Sequence, residues 1–443
     1  MTAIERLRAV LSAPVDPAGF LVFRVGFGLI CAFAAARFVA RGWVEQLLLM
    51  PEHHFFWLPG MEMPPEWAVY ALFAVQFVAG VGVAFGVRGR LCLIAWLLSF
   101  GFVELLDKTL YLNHYVLMTM LGVTLLFAPP RLRLADSLPA WVFWTLRVQL
   151  ALVYFWAGVA KLNTDWLLHG EPLTTWLEAR ADLPLVGSVL AIDEIALAMS
   201  WAGAAYDLTI PALLLWPRTR PVAFLLVLGF HVSVGVLFPI GIFPVVMILG
   251  STLFFPPSWP RRWMPMAWER RALRPLSAAK VTLWAIAIGV IAVFPGRSML
   301  VPGHVGWHER GHRFAWRVML IEKTGMVDFT VIEPETGRRW RVMPADELTP
   351  LQHKQMRTQP DMIRDYALHL KRRHAQAGRD VEVYADAWAS LNGRPAQRLL
   401  RDDLDLTLPM QTLNQSGWIV PLNPPSVGAP DRQNLIKEQP ERR

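Results

Sequence analysis

WVFWTLRVQLALVYFWAGVAKLNTDW, residues 141–166, decides the fold. Its first twenty-odd residues form an apolar run, and crossing bilayer hydrocarbon as a helix takes about 20 such residues. The run ends on Lys161 and the polar string Leu-Asn-Thr-Asp, so a span is expected over 140–161. Working outward, comparable runs occupy 19–39, 67–87, 91–106, 109–128, 191–216, 221–238, 239–255 and 277–295. The third is short, and Pro239 alone separates the last two before 277. The expected fold is therefore an α-helical polytopic membrane bundle of about nine spans over 1–295. The first run, although it ends in Ala34-Ala35-Ala36 like a leader, carries Arg24 and reads as an uncleaved helix. Segments 41–66 and 162–190, rich in Trp and Pro, suit interfacial or re-entrant helices.

Composition agrees with that reading. Of 443 residues, 54% are hydrophobic and 18% charged, against roughly 25% charged in soluble domains. The apolar excess stops near residue 295; residues 296–425 read as an α+β soluble domain and 426–443 as a flexible tail. Phe329–Ile332 and Trp340–Val342 flank a Glu-Thr-Gly-Arg turn, residues 348–376 read as a helix interrupted near Pro360, and DVEVYADAWASL alternates into Asn392-Gly393, a hairpin turn pair. The formal charge of +8 does not point to nucleic acid, because Arg and Lys sit mainly in links between apolar runs. Arg6/Arg8, Arg88/Arg90, Arg131/Arg133, Arg218/Arg220 and Arg261–Arg274 fall on alternate links, whereas 162–190 is acidic. The positive-inside rule then puts the N-terminus in the cytoplasm and the C-terminal domain in a periplasm or lumen. Two cysteines, Cys31 and Cys92, give neither a disulfide framework nor a metal spacing.

Ionisable groups inside apolar runs are costly and mark sites by default. Arg147, Tyr154 and Lys161 recur at seven-residue steps, on nearly one helical face. Lys161 falls at the outer end of its span, level with Asp107, Lys108, Asn113 and His114 at the outer end of another, while His231 lies mid-span. Each has a plainer reading. Lys161 can snorkel and pair with Asp165; His114 and His231 can be structural; Asn113 can join two helices; Asp207 can neutralise Arg147 or Arg24; Asp107 and Lys108 can form a solvated link pair. The chemical reading is a sheltered amine acting as a base beside an imidazole.

Specific strings carry a resemblance. LLDKTLYLNHY (105–115), VYFWAGVAKLNTDW (153–166), FHVSVGVLFPIGIFPVVM (230–247) and FFPPSWPRRW (254–263) resemble the vitamin K-dependent γ-glutamyl carboxylases, and FAWRVML (314–320), QPDMIRDYA (359–367) and DAWASLNGRPAQRL (386–399) continue it in order. The resemblance implies a lyase that couples epoxidation of a reduced naphthoquinone by O2 to carboxylation of peptide glutamate with CO2. It implies Lys161 as the base toward the quinol, His114 as support for the oxygenated intermediate, and Asn113 beside it. Tyr154, His231 and Asp107 are the further candidates for holding reduced vitamin K or menaquinol. The implied partners are membrane lipids, a lipid quinol and a glutamate-containing peptide or protein. Animal members carry a second lysine where Ala160 stands, together with external cysteines and a C-terminal extension lacking here, which implies peptide recognition without a propeptide. A quinol epoxidase without carboxylation and a non-catalytic quinone- or lipid-binding membrane protein, or a transporter, are the competing functions.

Overall fold

The computed structural model describes residues 2–129, 132–264 and 267–423. The tail expected over 426–443, and Arg131, lie outside the described residues. The chain divides into two compact units: a helical unit of Met1–Val301, Arg310–Leu320 and Ala345–His353, and a second of Pro302–Glu309, Ile321–Pro344 and Lys354–Arg443.

Among the described residues, six helices of the first unit are long and apolar enough to cross a membrane: Ala18–Ala40 (α1), Glu66–Phe85 (α2), Gly89–Leu106 (α3), Ala140–Lys161 (α5), Arg220–Leu237 (α7) and Ala278–Leu300, whose α-helical part ends at Val293 (α9). The other three expected runs are also helical. Asn113–Phe127 (α4) has 15 residues, because Asp107–Leu110 are drawn into a separate tight turn. Asp193–Leu215 (α6) has 23 but carries Asp193, Glu194 and Asp207. Phe243–Ser251 (α8) has nine and continues as a 3-10 turn to Phe254. The segments read as interfacial contain a π-helical turn, Glu45–Leu49, and the short helices Thr164–His169, Leu173–Glu178 and Gly187–Leu190.

With lipid outside, these helices are held by close backbone approach rather than by apolar burial alone. A Cβ at Gly28 would lie 2.5 Å from Ala84 N, and one at Gly80 would lie 2.7 Å from Ala32 N, so the Gly-x-x-x-Ala pairs of α1 and α2 interlock. Gly86 (φ 71°) then turns the chain from α2 toward α3. Helix α5 is central: Leu146, Leu150 and Val153 are buried with Phe27, Leu117, Ile210 and Met247 in one core.

The second unit holds an antiparallel sheet of Lys323–Glu333 (β1), Arg338–Val342 (β2), Glu382–Leu391 (β3) and Gln397–Arg398 (β4), in the order β2-β1-β3-β4. Phe329 pairs with Val342 around the Glu-Thr-Gly-Arg turn, and Lys323 pairs with Leu391. Strand β3 alternates, burying Val383, Ala385, Ala387, Ala389 and Leu391. Its three alanines admit helix Pro360–Gln376, which presents Met362, Ile363, Tyr366 and Leu370 as a buried stripe. The expected interruption falls at Pro360, the first residue of that helix after Pro350–Met356 ends. Asn392 (φ 49°) and Gly393 (φ 73°) make the turn out of β3 with the left-handed backbone that this residue pair favours.

Candidate functional site

Helix α5 ends where its sequence turns polar. Asn163 caps the next short helix, its Oδ1 accepting from the Trp166 N–H at 3.1 Å, and the turn brings the Trp166 ring back to 5.1 Å from the Lys161 ammonium. Lys161 Nζ donates to Asp207 Oδ2 on α6 at 2.7 Å, with the two side chains 7% and 6% exposed. This corrects two expectations. Lys161 takes its counter-charge from another helix rather than from Asp165, and Asp207 neutralises Lys161 rather than Arg147 or Arg24. Arg147 instead donates to the carbonyls of Leu253 and Phe255 at 2.7 and 3.0 Å, beyond the end of α8. Pro211 sits four residues after Asp207 within α6; lacking an N–H, it leaves the Asp207 carbonyl without its usual helical donor.

The ion pair opens onto a cavity of about 610 Å³ lined mostly by apolar side chains of α5, α6, α7 and α8. Its polar lining includes Lys161, Asp207, Tyr154, Tyr206 and His231. Tyr154, one heptad before Lys161, shares a hydrogen bond of 2.9 Å with His231 Nε2 of α7, and the Tyr206 and Ser251 hydroxyls are further neighbours of its oxygen. His231 Nδ1 is buried and makes no hydrogen bond among the described residues. When Tyr154 donates to Nε2, Nδ1 carries the proton and lacks an acceptor. His231 lines the cavity as a residue, and its buried Nδ1 lacks, among the described residues, the partner that buried polar groups ordinarily have. A flat aromatic quinol with two oxygens fits this lining: the orphaned imidazole N–H and the Lys161 amine offer polar contacts, and Phe238, Phe243 and Trp176 offer apolar surface.

His114 and Asn113 stand apart from this lining. The His114 ring is buried and packs 5.8 Å from Phe243, whose other neighbour is the His231 ring at 5.7 Å. Phe243 thus contacts both imidazoles, and His114 has Arg37 as a nearby charge. Asn113 Oδ1 accepts from the Tyr111 hydroxyl at 3.0 Å, and Tyr111 in turn accepts from the Phe314 N–H at 2.6 Å. This chain anchors segment 310–320, in which Phe314, Trp316 and Met319 adopt φ of 61°, 54° and 55°. Three bulky residues in the left-handed region within six positions are strained, and such strain gathers at functional sites. Val318 and Met319 of the same segment line the cavity.

Asp107 is no solvated link residue. It is fully buried, accepts from Thr109 N and Oγ1 at 2.8 and 2.7 Å and from Gln352 Nε2 at 2.8 Å, and does not line the cavity. It is an Asx turn holding a loop. Sequence reasoning missed Tyr206, Trp166 and Phe243 as walls. It also passed over Glu104, an acidic residue within α3 that acts electrostatically on Tyr111 and Tyr115. A carboxylate inside an apolar run was the available signal for it.

Comparison with known families gives two matches. Residues 12–259 match the HTTM domain, and residues 277–424 match the vitamin K-dependent gamma-carboxylase lumenal domain. No solved structure matches the chain.

Proposed function

Because this chain belongs to the HTTM-domain family of vitamin K-dependent gamma-carboxylases, we propose that it is a γ-glutamyl carboxylase, coupling epoxidation of a reduced naphthoquinone by O2 to carboxylation of peptide glutamate with CO2. The observation that carries this reading is the Lys161–Asp207 pair facing a largely apolar cavity. In this reading the base is the neutral Lys161 amine, formed when the ammonium paired with Asp207 gives up a proton, and it then takes the proton of a quinol hydroxyl. Asp207, 2.7 Å away, compensates the charge the amine gains, so no lone cation is left in an apolar space. His231, oriented by Tyr154, holds the second quinol oxygen through Nδ1. The reduced naphthoquinone, vitamin K or menaquinol, supplies with oxygen the strong base that a carbon as weakly acidic as glutamate Cγ requires. The protein's share is to hold the quinol, start its ionisation and exclude water that would quench the base.

His114 and Asn113 take positioning roles: His114 sets Phe243 from behind, and Asn113 fixes segment 310–320 through Tyr111. This reading takes a cytoplasmic N-terminus and the C-terminal domain in the periplasm or lumen, where a glutamate-containing peptide would arrive. The test supplies purified protein with labelled bicarbonate, reduced naphthoquinone and glutamate peptides. Label incorporation with epoxide formation is expected. Epoxide without label across a broad peptide set selects a quinol epoxidase, and neither product, with quinone still bound, selects a non-catalytic quinone carrier.

A further inference from the structure

The cavity beside Lys161 is not closed on all sides. Its lining runs along α6 from Met199 to Leu213, roughly 21 Å at 1.5 Å per residue. Its polar groups gather on the inner side, where Asp207, His231 and Lys161 are buried. The opposite edge lies between α6 and α7 and is made of lining residues that are themselves exposed: Ala205 and Thr209 on one side, Leu226, Gly229 and Ser233 on the other. These side chains are short apart from Leu226, and its neighbour Leu225 also lines the cavity; the two are 49% and 65% exposed. A Cβ built at Gly229 would meet no atom within 4 Å, so the gap is open there. Within a span, a surface exposed in this way faces lipid. Beside the opening, Tyr206 of α6 and Phe230 of α7 stack at 4.2 Å and brace the two helices.

We propose that the gap between α6 and α7 is a lateral entry through which a polyprenyl tail extends into the bilayer while its quinol head occupies the inner cavity, and that Gly229 keeps this passage open. The inference rests on the quinol reading above. A phospholipid fits less well. Its phosphate would need an unpaired cation, and the lining ammonium, Lys161, is already neutralised by Asp207. An uncharged polar head with a hydrocarbon tail matches the gradient from buried polar groups to an exposed apolar edge.

The test is Gly229→Phe in the full chain, assayed for equilibrium binding of two radiolabelled naphthoquinones: menadione, which has no tail, and a menaquinone with a long prenyl tail. The variant is not at risk of misfolding, since the new side chain points into open space and glycine is the poorer helix former. Gly289→Phe on α9, equally unobstructed and outside the lining, serves as control. The expected result is a tenfold or greater loss of menaquinone affinity in Gly229→Phe, with menadione within twofold of wild type and the control unchanged. Unaltered menaquinone binding overturns the entry. Equal losses for both quinones also overturn it, because they place Gly229 against the head. If wild-type protein binds neither compound, the quinol reading fails along with the entry, an outcome distinct from the other two.

Discussion

Among the described residues, two buried lysine–carboxylate pairs, one in each unit, have opposite surroundings. Lys161 meets Asp207 at 2.7 Å and lies 5.1 Å from the Trp166 ring; Lys323 meets Glu309 at 3.3 Å and lies 5.5 Å from the Trp307 ring. The inventory of groups is nearly the same. The difference is in the remaining protons of each ammonium. Lys323 gives one to the Trp307 carbonyl at 2.6 Å, so its neighbours are packed protein. Lys161 has only a weak contact with the Ala157 carbonyl at 3.5 Å and otherwise faces a cavity. Burial and pairing alone therefore do not mark a site. What sets Lys161 apart as the candidate is the unfilled space beside its nitrogen.

The largest expected effects test that distinction directly. Lys161→Met should lower quinol-dependent turnover by about 10²–10⁴-fold, the usual worth of a positioned general base. It should also destabilise by about 3–5 kcal/mol, because Asp207 is left buried without its partner. The double variant Lys161→Met/Asp207→Leu should recover most of that stability and none of the activity, as read by thermal unfolding and epoxide assay on the same preparation. In the other unit, Lys323→Met should destabilise comparably, and Lys323→Met/Glu309→Gln should regain stability with turnover per folded molecule near wild type. A folded but inactive double variant at 323 and 309 would erase the contrast, and an active Lys161→Met would invert it.

How much of this was legible follows from which interactions are local. Apolar runs of helical length announce themselves, and each one read from the sequence is helical. Hydropathy could not foresee that Asp107 would pull Thr109 into a turn and shorten the helix beginning at Asn113. Asn392-Gly393 and Pro360 were legible because backbone chemistry acts where the residue stands. Lys161 was legible by position, but its partner was not. Spacing along one helix favours Asp165, four residues on, and periodicity does not say which helices become neighbours. Asp207 is 46 residues away, on α6. The same limit hid Phe243, whose ring contacts both the His114 and the His231 imidazoles. What sequence lacks here is the pairing of helices.

A smaller effect sharpens the cavity side. Tyr154→Phe keeps the ring and removes the 2.9 Å hydrogen bond to His231, so the imidazole loses its fixed orientation. A hydrogen bond of about 0.5–1.5 kcal/mol corresponds to an affinity loss of about two- to tenfold. Quinone affinity should fall by that amount, along with a modest loss of stability from the unpaired Nε2. A fall in stability with unchanged affinity would make the Tyr154–His231 pair a packing feature like the Lys323 pair.

The smallest effect is a slope with pH, and it belongs to the packed pair. Burial lowers Lys323 below its ordinary 10.5, with Glu309 acting in the opposite sense. Between the folded value and 10.5 the unfolded chain binds more protons than the folded one, so stability must rise with pH across that window. The contribution is complete above 10.5 and is lost as pH falls through the folded value. Other groups titrate in the same range, so the informative quantity is the difference in unfolding temperature between wild type and Lys323→Met, followed upward from pH 7. That difference should grow in favour of wild type as the alkaline limit is approached. A flat difference would mean that Glu309 and the Trp307 carbonyl fully offset the cost of burying the ammonium, and a falling one would mean that the pair stabilises the charge more than water does.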